Sequence, residues 1–223
     1  MPDFVTDSEK SIHNELRGLY TLLPDELVGS SRELCVRVRF LLTAVMQDSS
    51  DEIREGTLAF LGILSRAHEL YIGGIRQLLD GNRHLLAMAI RGLLETFGAA
   101  AFIVESPSEV SSLIGKSSPN QNRLIRAGKT RLQGLGHDYG RLSKIVHPSG
   151  DSLLMGWRIL RKGEHIALMA IPAPPLSSIE CEESLRVLVI IVSELYKIVR
   201  DLIETSPGIT KCGKHIGCVV PIT

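Results

Sequence analysis

Apolar residues recur at helical spacing over most of the chain, and the phase of that recurrence predicts a series of helices. Ser11 to Leu23 gives the first, closed by Pro24, and Glu26 to Gln47 the second. In the second, Leu34, Val38, Leu41, Leu42 and Val45 share one side while Arg32, Arg37 and Arg39 lie mostly on the other. The acidic stretch Asp48 to Glu55 opens a third helix, because Asp and Ser side chains satisfy first-turn amides and carboxylates favour the positive helix end. That helix runs to about Leu79, with a kink expected at Gly73-Gly74, and Asp80-Gly81-Asn82 supplies the turn after it. From Arg83 to Val104 apolar residues occupy nearly every side, which predicts a central helix covered by its neighbours. Ser106-Pro107-Ser108-Glu109 starts a short helix to about Ile114, and a long helix runs from Asn122 to His147, where Pro148 stops it.

The period changes after Gly150. Ser152 to Leu160 and His165 to Ile171 are apolar runs joined by Arg161-Lys162-Gly163-Glu164, so a β-hairpin anchored by Trp157 and packed on the bundle is expected. Glu182 to Thr205 then forms a last long helix with Leu185, Leu188, Val189, Val192, Leu195, Tyr196 and Val199 as its core stripe. The fold class expected is therefore mainly α: a helical bundle with one small β-hairpin before the C-terminal helix, residues 1–206 as one domain and 207–223 as a tail. The greasiest run, Leu185 to Val192, carries Arg186 and falls short of the roughly 20 apolar residues of a membrane span. No membrane association is expected.

Composition adds little to this picture, and charge adds more. The 223 residues are 44% hydrophobic with a net charge of +0, so no overall field steers the protein toward nucleic acid or lipid. The N-terminal stretch MPDFVTDSEK lacks the basic, apolar and small-residue succession of a signal peptide, and a cytoplasmic location with reduced thiols is expected. Between Lys116 and His147, however, seven Lys or Arg face one acid, Asp138. Arg123, Arg126, Lys129, Arg131 and Lys144 are the candidate phosphate-facing cations of that stretch. Only Tyr139 interleaves with them, so base stacking on aromatic rings is not indicated.

Most of the candidate chemistry lies in His137 to Gly150, HDYGRLSKIVHPSG. Tyr139, Ser143 and His147 recur every fourth residue, and the helix stop at Pro148 puts His147 in the last turn, where the macrodipole favours an imidazolium. In the central helix, Arg91 and Glu95 are one turn apart and pair, and Glu95 is expected to meet the helix of Tyr139 and His147. No nucleophile elbow, phosphate-binding glycine loop, dinucleotide fingerprint or His-Glu-x-x-His is present, and no cofactor or metal is expected. The tail Cys212, His215 and Cys218 offers three soft ligands without a fourth.

Arg141-Leu-Ser-Lys-Ile-Val-His147 resembles the Arg-x4-6-His motif of HEPN-type helical proteins, many of which are metal-independent ribonucleases of defence and toxin systems. The block Tyr139, Leu142, Ser143, Val146, His147, Pro148, Ser149, with Leu93-Leu94-Glu95 upstream, is similar to an uncharacterised bacterial family of HEPN-like bundles. The resemblance implies a homodimer with a composite site, since six residues along one helix place Arg141 and His147 roughly 9 Å apart in rise and about 120° apart in direction. It further implies that in an enzyme Arg141 holds the phosphate and His147 moves the 2′-hydroxyl proton, supported by Glu95, Arg91, Tyr139, Ser143 and Ser149. Two functions follow. The first is a non-catalytic binding or regulatory module whose partner is an RNA, a nucleotide or a protein; the alternative is a metal-independent endoribonuclease using Arg141 and His147.

Overall fold

The computed structural model describes residues 7–48, 55–113, 119–146, 157–162, 165–170 and 176–205. Among these residues the helices are α1 (Asp7–Leu19), α2 (Asp25–Asp48), α3 (Glu55–Leu79), α4 (Arg83–Glu105), α5 (Gln121–Lys129), α6 (Leu135–Val146) and α7 (Ser178–Thr205). A 3-10 segment, Pro107–Leu113, follows α4. Central position falls to α4, which packs against α3, α5, α6, α7 and the 3-10 segment. Its length and composition would suit a membrane span, yet 72% of its most apolar window is buried inside the bundle. It is the core helix, as the all-round apolar pattern predicts, with Leu93, Leu94, Phe97, Ala100, Ala101 and Phe102 almost wholly covered. Leu85 and Met88 depart from that pattern and lie on an open flank.

Local chemistry sets the ends of these helices. Asn82 caps α4 by accepting from the Leu85 amide at 3.1 Å, and Gly81 takes the positive φ of +64° that the turn requires. At the start of α7, Ser177 and Glu180 form a capping box: the Ser177 amide donates to Glu180 at 2.9 Å and the Glu180 amide to Ser177 Oγ at 3.3 Å. Arg83 grips the same carboxylate through both oxygens, at 2.5 and 3.0 Å, and holds it well below the usual carboxylate range, at about 2. The first turns of α4 and α7 are thereby tied together.

Two expectations are corrected. The fold class is all-helical, not a bundle carrying a packed β-hairpin. Strands β1 (Trp157–Lys162) and β2 (His165–Ala170) pair antiparallel, with Trp157 opposite Ala170, but among the described residues they approach no helix. The buried core as described lies wholly in the helices and the segments joining them. A two-stranded ribbon has no second layer of its own, and among the described residues no helix supplies one. The apolar runs after Gly150 signal strand propensity, which is a weaker statement than packing. The single helix expected from Asn122 to His147 is likewise two helices. Residues 130–134 turn between them, and Gly134 at φ +84° supplies a conformation that a helix cannot contain. Gly73 and Gly74, by contrast, lie inside an uninterrupted α3.

Candidate functional site

Glycine fixes where α5 sits. A Cβ at Gly98 of α4 would lie 2.7 Å from the Leu124 carbonyl oxygen, and one at Gly128 of α5 would lie 2.9 Å from Leu135 and 3.3 Å from the Gly98 Cα. The bare backbones of α4 and α5 therefore approach closely and place the outer face of α5, with the turn into α6, at one edge of the bundle. On that edge Arg126, Lys129 and Arg131 are exposed and form no ion pair among the described residues. Lys129 lies across Gly136, where a Cβ would collide with its Cε and Nζ. Arg123 behaves differently: it stacks over Phe102 at 4.8 Å and binds both oxygens of Glu109 at 2.6 and 2.7 Å, which raises its pKa. Of the five cations expected to face phosphate, Arg123 is thus committed within the fold and Lys144 is exposed on α6.

The expected contact between Glu95 and the helix of Tyr139 is present. The Tyr139 hydroxyl donates to Glu95 Oε1 at 3.2 Å and accepts from Arg91 Nη2 at 3.1 Å, while the Arg91 guanidinium lies 5.2 Å above the Tyr139 ring. Arg91 Nε stands 3.3 Å from Glu95 Oε1, and Arg66 of α3 reaches Glu95 Oε2 at 3.3 Å. This cluster joins α3, α4 and α6. One turn beyond Tyr139, Ser143 Oγ is buried with no hydrogen-bond partner among the described residues. Ser149 and His147 fall outside the described residues, as do Cys212, His215 and Cys218.

Arg141 does not join that cluster. It lines a cleft of about 400 Å³ over α4, with Leu142 and Ile145 of α6 on one side and Val187 and Ile190 of α7 on the other. Val146 lines a different cleft, between α3 and α4, together with Arg66, Arg91 and Glu95. Five residues along α6 carry the chain from one side of the helix to another, so Arg141 and the end of α6 face separate clefts. α6 and α7 both pack on α4 and do not approach one another among the described residues, which leaves the first cleft open.

Sequence reasoning missed a buried polar network among α1, α2 and α3. The Glu9 carboxylate, almost wholly buried, accepts from Arg39 and from His68, both at 2.7 Å. His13 places Nδ1 2.8 Å from the Glu9 carbonyl and Nε2 3.1 Å from Ser31 Oγ, which in turn meets the Tyr71 hydroxyl at 2.7 Å. A neutral His13, donating from Nδ1 and accepting at Nε2, satisfies this chain, and burial pushes its pKa down. Burial also pushes the Cys35 thiol up to about 12 and Tyr71 well above its ordinary value. The available signal was Glu9 and His13 four residues apart on the same face as the core residues Ile12 and Leu16. With His13 and Ser31 buried to 2% and 0%, the network is closed to substrate and serves to lock α1 onto the bundle.

Among the described residues no group of three His, Cys, Asp or Glu side chains has the geometry to hold a metal ion. Compared with family models, curated proteins and solved structures, the chain matches none of them.

Proposed function

We propose that this protein is a non-catalytic helical binding module that holds an RNA strand by its phosphates along the α5–α6 edge. One observation carries the reading: Arg126, Lys129, Arg131 and Arg141 are exposed, form no ion pair among the described residues and follow one another along α5, the turn and α6; Arg32 and Arg76, also exposed without an ion pair, stand singly on α2 and α3, and Arg17, Arg37, Arg83, Arg123, Arg186 and Arg200 each meet a carboxylate. Unpaired cations grouped on one edge release counterions when they meet phosphate, a gain that cations already bound to carboxylates forgo. Among the described residues the edge offers no aromatic platform, Tyr139 being engaged with Arg91 and Glu95, so binding is to the backbone and tolerant of sequence. The resemblance to HEPN-type proteins supports the same class of partner.

Arg141, the phosphate-holding group of the motif, opens onto a cleft other than the one reached by the C-terminal end of α6. Labelled single-stranded RNA titrated with the protein in EDTA is expected to bind and to remain full length. Arg126→Glu, Lys129→Glu and Arg131→Glu together are expected to abolish binding while leaving the helical circular dichroism unchanged. Equal binding by the charge-reversed protein removes the edge from the account. RNA cleavage lost in Arg141→Ala establishes the ribonuclease in its place.

A further inference from the structure

The cleft between α6 and α7 lies at the end of the basic edge. Arg131 belongs to the α5–α6 turn, and the next two residues of that turn, Leu132 and Gln133, line the cleft beside Asp138 and Arg141. Its floor is Ile90 and Leu94 of α4 and its walls are aliphatic, Leu142 on the α6 side and Ile190 on the α7 side. Ile190 is 49% exposed, so the wall is an apolar surface left open to a ligand. About 400 Å³ lies within the range of small-ligand pockets and suits a flat ring held between two apolar walls.

Charge decides what part of a nucleotide enters. Asp138 on the α6 lip and Glu183 on the α7 lip both line the cleft; Asp138 has one contact, Oδ1 with His137 Nδ1 at 3.3 Å on its exposed side, and Glu183 forms no ion pair among the described residues. Two carboxylates repel a phosphate from the interior, while Arg141 at the mouth holds it outside. A neutral base therefore goes in and its phosphodiester stays on the edge. Among the bases, guanine alone presents two adjacent donors, N1–H and the N2 amino group, matching the two oxygens of one carboxylate, with O6 beside them for an amide donor. Adenine offers an acceptor at N1, where Asp138 requires a donor. Uracil flanks its single N–H with two acceptors, and cytosine sets an acceptor beside its amino group. Asp138 and Gln133 both line the cleft on the side of the α5–α6 turn and the start of α6.

We propose that this cleft receives an unstacked guanine from the RNA strand held on the α5–α6 edge, with Asp138 accepting from N1–H and N2–H and Gln133 donating to O6. The proposal rests on the edge reading and adds base selectivity to it. The test is fluorescence anisotropy with labelled oligouridylate and with the same strand carrying one central guanosine, adenosine or cytidine. The guanosine strand is expected to bind about tenfold more tightly than oligouridylate, and the adenosine and cytidine strands no more tightly than it. Asp138 is exposed, so Asp138→Asn leaves the fold intact; it is expected to bring the guanosine-to-uridine ratio to about one, since a carboxamide replaces one acceptor by a donor. Equal binding of all four strands, or a guanosine preference that survives Asp138→Asn, overturns the guanine site and leaves the edge standing. Failure of every strand to bind overturns both.

Discussion

Replacing Glu95 by Ala tests whether α3, α4 and α6 are joined through one carboxylate. The substitution removes the acceptor for the Tyr139 hydroxyl, at 3.2 Å, and the counter-charge of Arg91. A hydrogen bond to a charged group contributes about 1.5 kcal/mol. The Arg91 side chain is 17% exposed, so leaving its guanidinium without a carboxylate costs less than the roughly 3–5 kcal/mol of breaking a fully buried pair; about 1.5 kcal/mol is a fair discount. Arg66 is 57% exposed, and its pairing adds at most about 0.5 kcal/mol. The total is about 3 kcal/mol, which in a chain of this size lowers Tm by roughly 6–12 °C. Tyr139→Phe, which loses the hydroxyl alone, costs about 1 kcal/mol. Because the two groups touch, the double variant is expected to fall short of the sum by about 1 kcal/mol in a cycle followed by circular dichroism. A Glu95→Ala loss below about 0.5 kcal/mol, or strict additivity with Tyr139→Phe, refutes the reasoning.

Acid should weaken the fold in two separate windows. His13 has a lowered folded-state pKa, so below the ordinary value of 6.5 the unfolded chain takes up a proton that the folded chain refuses; stability falls as pH drops through 6.5. Denaturant titrations across that range should show the slope, and His13→Gln should flatten it. Glu180, lowered to about 2 from 4.5, contributes stability that is complete above 4.5 and lost as pH falls from there toward 2; Glu180→Gln should flatten only this second window. At Gly98 a Cβ meets backbone 2.7 Å away, so Gly98→Ala is expected to cost about 1–3 kcal/mol in urea unfolding. At Gly136 it meets only the flexible end of Lys129, so Gly136→Ala should leave stability within about 0.5 kcal/mol and shift RNA affinity instead.

Much of the architecture was legible because helical periodicity and caps are local. The all-round apolar stretch from Arg83 marked the central helix, and the Asp80-Gly81-Asn82 turn marked its start. What was not legible depends on single backbone angles and on contacts between segments distant in sequence. Gly134 breaks the expected Asn122–His147 helix through a single backbone angle, and the pattern of Leu135, Tyr139, Leu142 and Val146 continues on the far side as though nothing had intervened. The hairpin failed as a packed element because short apolar runs joined by a turn report strand propensity and say nothing of a partner layer. At the site, the meeting of Glu95, Arg91 and Tyr139 followed from the rule that polar groups in an apolar helix need partners. The separation of Arg141 from the end of α6 follows from helix geometry; which clefts the two sides face needed the tertiary setting. Arg123 illustrates the limit of charge counting: Glu109, fourteen residues earlier in sequence, neutralises it.

The central claim, that unpaired cations on the α5–α6 edge hold RNA by its phosphates, is tested most directly by the salt dependence of single-stranded RNA binding. Four contacts from Arg126, Lys129, Arg131 and Arg141 predict a slope of log K against log salt of roughly −2.8, at about −0.7 per phosphate neutralised. Changing Arg126, Lys129 and Arg131 to Gln should bring the slope to roughly −0.7, leaving the contribution of Arg141. A slope near zero in the parent protein, or one that the triple substitution leaves unchanged, contradicts the account.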